Sequence, residues 1–161
     1  MYQQTRIIQG NTAPEPIPWQ AHMGQGTSSS FSYFCGGTII DEKTILTAAH
    51  CYHGRDLDAD GFFISAGAIN VRDGSAQIAG VESIKIHESY NKSIPPKLDN
   101  DIAILKLKTP LIFNDKVQPA CLPEASFIPE GIAVASGWGR IDQTPTVTPL
   151  DLQVCIYYLF S

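Results

Sequence analysis

The chain has 161 residues, of which 43% are hydrophobic and 17% charged; it carries 13 Gly, 11 Pro and 4 Cys and a formal charge of −5. This composition excludes disorder, collagen-like repeats and a membrane-embedded chain, and the acidic surplus leaves no basic surplus to neutralise nucleic-acid phosphates. No apolar run approaches the ~20 residues of a membrane-spanning helix, so neither nucleic acid nor a membrane is expected as a partner.

The opening Met1-Tyr2-Gln3-Gln4-Thr5-Arg6 lacks the basic-then-apolar layout of a secretory signal. Beyond it, low charge, frequent Gly and Pro, and scattered β-branched and aromatic residues favour short strands joined by turns, an all-β fold. In chain order, strands are expected at 37–40, 44–47, 62–66, 83–86, 102–107 and 132–135. Turn signals separate them at Asp41-Glu42-Lys43, Asp73-Gly74-Ser75, Pro95-Pro96 and Lys108-Thr109-Pro110. Pro110, Pro119, Pro123 and Pro129 then mark a connector, and a second structural unit is expected to begin near Gly131. The stretch from Gly131 to Ser161 is too short for a core of its own, so the chain is expected to stop inside its second unit.

The chemistry-bearing residues lie around the second expected strand. Phe34-Cys35-Gly36-Gly37 and Thr47-Ala48-Ala49-His50-Cys51 place two cysteines on either side of a hairpin. A Cys35–Cys51 bridge would close a loop of about 15 residues, contribute on the order of 3 kcal/mol in an oxidising compartment, and hold His50 at the end of the hairpin. The alternative is a set of buried thiols in a cytosolic structural protein. Metal ligation is not expected: there is no Cys-x-x-Cys pair, and His50-Cys51-Tyr52-His53 lacks a second cysteine pair at zinc spacing. The other histidines, His22, His53 and His87, have no comparable setting. Downstream, Asp101 in Leu98-Asp99-Asn100-Asp101-Ile102-Ala103 abuts an apolar strand. A carboxylate there needs a partner for its charge, which favours Asp101 over Asp99 as the group that orients a histidine.

Together these segments resemble the trypsin/chymotrypsin-like serine endopeptidases. Arg6-Ile7-Ile8-Gln9-Gly10 resembles the activation junction and Pro18-Trp19-Gln20 the segment after it. Then come F-C-G-G-T-I-I, T-A-A-H-C, D-N-D-I-A-I-L-K-L, P-A-C-L-P and S-G-W-G in the family's order, from Arg6 to about Gly139. The resemblance implies a double antiparallel β-barrel, here with the first barrel complete and the second truncated. Residues 1–6 are then a remnant of an activation segment, 7–122 the first barrel with His50 and Asp101, and 123–161 a connector and the incomplete start of the second barrel. His50 is implied as general base, Asp101 as its orienting carboxylate, and Arg6 and Ile7 as the activation cleavage site. No cofactor is implied, and the family setting is a secreted zymogen acting on protein or peptide substrates.

None of the serines stands in the Gly-Asp-Ser-Gly-Gly segment that supplies the family's nucleophile and oxyanion hole; Ser136, before Gly137-Trp138-Gly139, marks a strand instead. The chain alone is therefore expected to be an inactive fragment, needing the missing C-terminal half. The alternative is a non-catalytic homologue that serves as a protein-binding module. Gln9 replaces the usual glycine of the junction, and Gly67-Ala68-Ile69-Asn70 lacks the glutamate with which some relatives begin a calcium loop. Cys121 is expected to be unpaired; the position where relatives carry a partner for Cys155 is Ala13, and a Cys121–Cys155 bridge has only parity in its favour. The apolar, aromatic tail from Val154 would be an aggregation hazard if left unpaired, and its last seven residues are expected to lie outside the family pattern.

Overall fold

In a computed structural model, described for residues 10–27, 29–52, 54–72, 74–91, 99–139 and 149–159, the chain is all-β. The strands are β1 (Asn11–Thr12), β2 (Gln20–Thr27), β3 (Ser30–Asp41), β4 (Thr44–Thr47), β5 (Phe62–Ala66), β6 (Gln77–Ile86), β7 (Ala103–Leu107), β8 (Gly131–Gly137) and β9 (Gln153–Leu159). Strands β2-β3-β4-β7-β6-β5 close into an antiparallel barrel, and β1-β9-β8 form a second, three-stranded sheet. Among the described residues no helix is long and apolar enough to cross a membrane.

The period of the side chains decides which face fills the barrel. In β7, Ala103, Leu105 and Leu107 are buried while Ile104 and Lys106 are exposed. Ala21 and Met23 of β2, Ile39 of β3, Ile45 of β4, Phe62 and Ile64 of β5 and Val81 of β6 meet them in one core. Each of the larger of these side chains, from valine to phenylalanine, stabilises the fold by about 1.5–3 kcal/mol when taken out of water. Gly37 is what lets β3 approach β4 this closely: a Cβ there would stand 2.6 Å from Ile45 Cγ2 and 3.1 Å from the Leu46 carbonyl oxygen. Gly37→Ala is expected to destabilise the chain by about 1–3 kcal/mol through overpacking, read as a lowered midpoint in urea.

Strands expected at 44–47 and 62–66 have those bounds, those expected at 37–40, 83–86 and 132–135 are parts of longer strands, and the one expected at 102–107 begins one residue later. Strand β6 is longer than 83–86 because it serves two neighbours, pairing with β5 from Gln77 to Gly80 and with β7 from Val81 to Ile86. Its register shifts between Val81 and Ser83, the kind of irregularity that bends a strand around a barrel. Strand β2 is not among the expected strands. Its sequence, QAHMGQGT, is poor in β-formers, yet β3 and β5 pair with it on either side. The turn signal at Asp41 is realised: the Lys43 amide donates to Asp41 Oδ1 at 2.8 Å. The signals at Asp73 and Pro95-Pro96 lie outside the described residues.

The apolar tail is paired on both sides. Strand β9 pairs with β8 from Gln153↔Gly137 to Leu159↔Gly131 and with β1 at Asn11↔Val154 and Thr12↔Gln153. Its partners are separate in sequence, and only the tertiary fold brings them alongside. A second apolar cluster, with Ala13, Trp138 and Leu152 buried, joins this sheet to the barrel. Trp138 Nε1 donates to the Ile69 carbonyl at 2.9 Å, Asn70 Nδ2 to Asp151 Oδ1 at 2.7 Å, and Ser136 Oγ to Gln20 Oε1 at 2.6 Å. Between the two units His22 of β2 lies flat between the rings of Tyr33 and Trp138, at centroid distances of 4.0 and 4.4 Å.

Candidate active site

Antiparallel pairing of β4 with β7 ends at Thr47↔Ala103, so the end of β4 and the start of β7 lie at the same rim of the barrel. His50 follows Thr47 in a 3-10 turn, Ala49–Tyr52, and Asp101 stands just before Ala103. The register alone therefore brings together two residues far apart in sequence.

Both oxygens of Asp101 are engaged. The His50 backbone N–H donates to Oδ1 at 2.7 Å, and His50 Nδ1 lies 2.7 Å from Oδ2. An ionised carboxylate only accepts, so Nδ1 carries the proton and Nε2 keeps its lone pair. The two-point contact fixes the imidazole in both tautomer and orientation. The Asp101 side chain is 15% exposed against 47% for His50, so the acid is shielded while the ring faces the solvent.

Local structure holds each partner. Asn100 has a positive φ of 58°, a conformation that asparagine tolerates better than most residues. There the Ile102 amide bonds back to the Asn100 carbonyl at 2.8 Å, and Asn100 Nδ2 donates to the Ser89 carbonyl at 3.3 Å. On the histidine side, a Cys35–Cys51 disulfide ties the turn to β3, and Thr47 Oγ1 donates to the Gly36 carbonyl at 2.8 Å. Arg55 Nε donates to the Cys51 carbonyl at 3.1 Å while its guanidinium lies 4.1 Å over the Phe34 ring. Behind the turn Tyr52, Phe34 and Phe62 pack edge to face.

Sequence reasoning missed Tyr90. It is 7% exposed, and its phenol is held above the ordinary value first by burial and then by the negative charge of Asp101. Its position in a loop gives no signal in the sequence. Asp99 is exposed, His87 receives the Ser89 amide on Nδ1 at 3.1 Å, and His22 is buried in its aromatic stack. Ser136 is occupied with Gln20 on the second sheet. Cys121 is an exposed thiol. Arg6, Ile7 and His53 lie outside the described residues.

A family model described as Trypsin matches residues 7–158. The chain belongs to the trypsin family. The match runs through Tyr158 and so takes in four of the last seven residues, against the expectation that these lie outside the family pattern. The chain is 35% identical over 152 residues to Transmembrane protease serine 9 of Rattus norvegicus, covering 92% of this chain and 14% of that protein. It is 35% identical over 136 residues to Trypsin-4 of Rattus norvegicus, covering 84% of this chain and 51% of that one. With Trypsin-1 of Astacus astacus it shares 38% identity over 138 residues, 81% of this chain and 56% of the relative. The chain thus spans about half the length of these two trypsins.

Proposed function

We propose that this trypsin-family serine protease chain supplies the base half of a serine endopeptidase site. His50 is the general base and Asp101 the carboxylate that holds its tautomer and stabilises the imidazolium formed as a serine hydroxyl is deprotonated. The observation that carries this reading is the pair of 2.7 Å contacts from Asp101 to the His50 amide and to Nδ1. They leave Nε2 free to accept a proton. Residues 7–122 form the first unit and 123–161 the connector and the start of the second. Cleavage after Arg6 frees Ile7, a proposal supported by a family match that begins at residue 7. A disulfide beside the site suits an oxidising, extracellular setting, and proteins or peptides are the substrates.

The nucleophile segment is not among the 161 residues. A further observation fits its delivery by additional β-structure: Ile132, Val134, Ile156 and Tyr158 are each 62–68% exposed, and their pairing, Ile132↔Tyr158 and Val134↔Ile156, puts them on one face of the second sheet. The 161-residue chain is expected to bind a fluorescent hydrophobic dye through this face, and Val134→Thr with Ile156→Thr to reduce the signal several-fold.

The purified chain alone is expected neither to react with a serine-directed phosphonate nor to hydrolyse a peptide ester. Joined to the second-barrel segment of a trypsin that carries Gly-Asp-Ser-Gly-Gly, it is expected to gain both activities. Labelling of the chain by itself, or a correctly folded joined form that stays silent, overturns the proposal.

A further inference from the structure

Asn91-Lys92-Ser93 is an asparagine with a hydroxyl residue two positions on and no proline between, the acceptor pattern of N-linked glycosylation. No other asparagine of the chain has it: two residues after Asn11, Asn70, Asn100 and Asn114 stand Ala13, Arg72, Ile102 and Lys116. A three-residue pattern arises readily by chance, so the placement of the acceptor and its compartment decide. We propose that Asn91 carries an N-linked oligosaccharide, which stands on the Asp101 flank of the candidate site and screens it.

Placement is the first support. Strand β6 ends at Ile86 and the chain then turns: the Tyr90 amide donates to the His87 carbonyl at 3.0 Å and the Ser89 amide to His87 Nδ1 at 3.1 Å. Tyr90 is buried and anchors the turn, whereas Asn91 directly after it is exposed. The acceptor therefore sits on the surface and outside every described strand, as the attachment of a bulky polar group requires. Lys92 and Ser93 lie outside the described residues. Compartment is the second, independent support. The transfer takes place in the lumen of the secretory pathway, an oxidising space in which disulfides form, and the Cys35–Cys51 bridge suits that space.

The contacts of the same turn fix where the glycan stands. The His87 amide donates to the Ile102 carbonyl at 3.0 Å and Asn100 Nδ2 to the Ser89 carbonyl at 3.3 Å, so the turn is stapled to the chain on both sides of Asp101. A branched oligosaccharide on Asn91 rises beside the Asp101–His50 pair. It narrows the approach for a folded protein more than for a short peptide. Attachment is independent of the endopeptidase reading; the screening effect rests on it.

The donor in this transfer is an oligosaccharide joined through its C1 to a lipid diphosphate. The bond from Asn91 Nδ2 to C1 forms as the bond from C1 to the diphosphate oxygen breaks. That oxygen keeps the bonding pair and leaves with the lipid diphosphate. Nδ2 gives up one of its two protons to a base of the transferase, and nothing is oxidised or reduced.

Attachment is tested on the full 161-residue chain behind a cleavable secretion signal, translated in the presence of microsomes. The expected result is one slower-migrating band that peptide N-glycosidase collapses. It should be absent in Asn91→Gln and in Ser93→Ala, which removes the hydroxyl but keeps the acceptor. Transfer takes place on the chain as it enters the lumen, before folding, so the stability of the variants does not enter the result. A translocated chain of unglycosylated size, or a shifted band that survives either variant, overturns the attachment. Screening is tested on the chain joined to the second-barrel segment, secreted with its glycan, and compared with the same protein after enzymatic glycan removal and with Asn91→Gln. Removal should speed cleavage of a folded protein several-fold and leave hydrolysis of a peptide ester unchanged. Equal rates on the folded protein overturn the screening while the peptidase reading stands. Silence towards the ester in every form overturns the peptidase reading and the screening with it, and the attachment is decided by its own assay.

Discussion

Asp101→Asn, placed in the form of the chain joined to a nucleophile-bearing segment, is expected to lower kcat for a peptide ester by about 10⁴-fold while leaving KM within a few-fold. The size follows from the hydrogen bonds. Asp101 accepts twice, once from the His50 backbone N–H and once from Nδ1. An asparagine amide can accept at one position and must donate at the other. The backbone N–H can only donate, so it claims the amide oxygen and the NH₂ group faces the ring. Nδ1 must then be the acceptor, the proton moves to Nε2, and the ring no longer has a lone pair for the serine hydroxyl. His50→Ala should cost a similar factor, and the double variant little more, because the two residues act as a unit. A loss of less than tenfold in a correctly folded Asn variant would mean that Asp101 does not set the tautomer.

Acidification is expected to destabilise the chain through His22. This ring is 8% exposed, its Nδ1 is buried, and burial lowers its pKa from 6.5 to about 3. The unfolded chain binds a proton near pH 6.5, whereas the folded chain resists protonation until about pH 3. The unfolded state therefore holds more protons throughout that window. The full stability is present above pH 6.5 and declines as the pH falls towards 3, by up to about 1.4 kcal/mol per pH unit from this one group. His22→Phe keeps a flat ring between Tyr33 and Trp138 and cannot titrate. The comparison is the urea midpoint at pH 7 and pH 4.5, followed by Trp138 fluorescence, because that indole is part of the stack. Wild type should lose on the order of 2 kcal/mol more than the variant over this interval. Parallel losses in the two proteins would show that another group carries the acid sensitivity.

The elements legible in the sequence are those that local chemistry dictates. Thr44–Thr47 and Phe62–Ala66 are short runs rich in β-branched or aromatic residues, and each is located to the residue. Strand β2 is invisible because its Gln, Gly, His and Ala residues carry no strand preference; it is a strand because β3 and β5 present unpaired backbone on both its sides. Strand β9 reads only as an apolar tail, since nothing in its own residues names β8 or β1 as a partner. His50 and Asp101 can be picked out by the segments around them, but the reason they touch is the β4–β7 register.

By itself the sequence determined the all-β class, the family and the hairpin cysteines, because each is written in contiguous segments whose residue types have few alternative uses. The tertiary structure alone decided the partners of β2 and β9, the two contacts between Asp101 and His50, and the burial that keeps His22 neutral. These depend on strand register and burial, which pair residues distant along the chain and therefore leave no local mark in it.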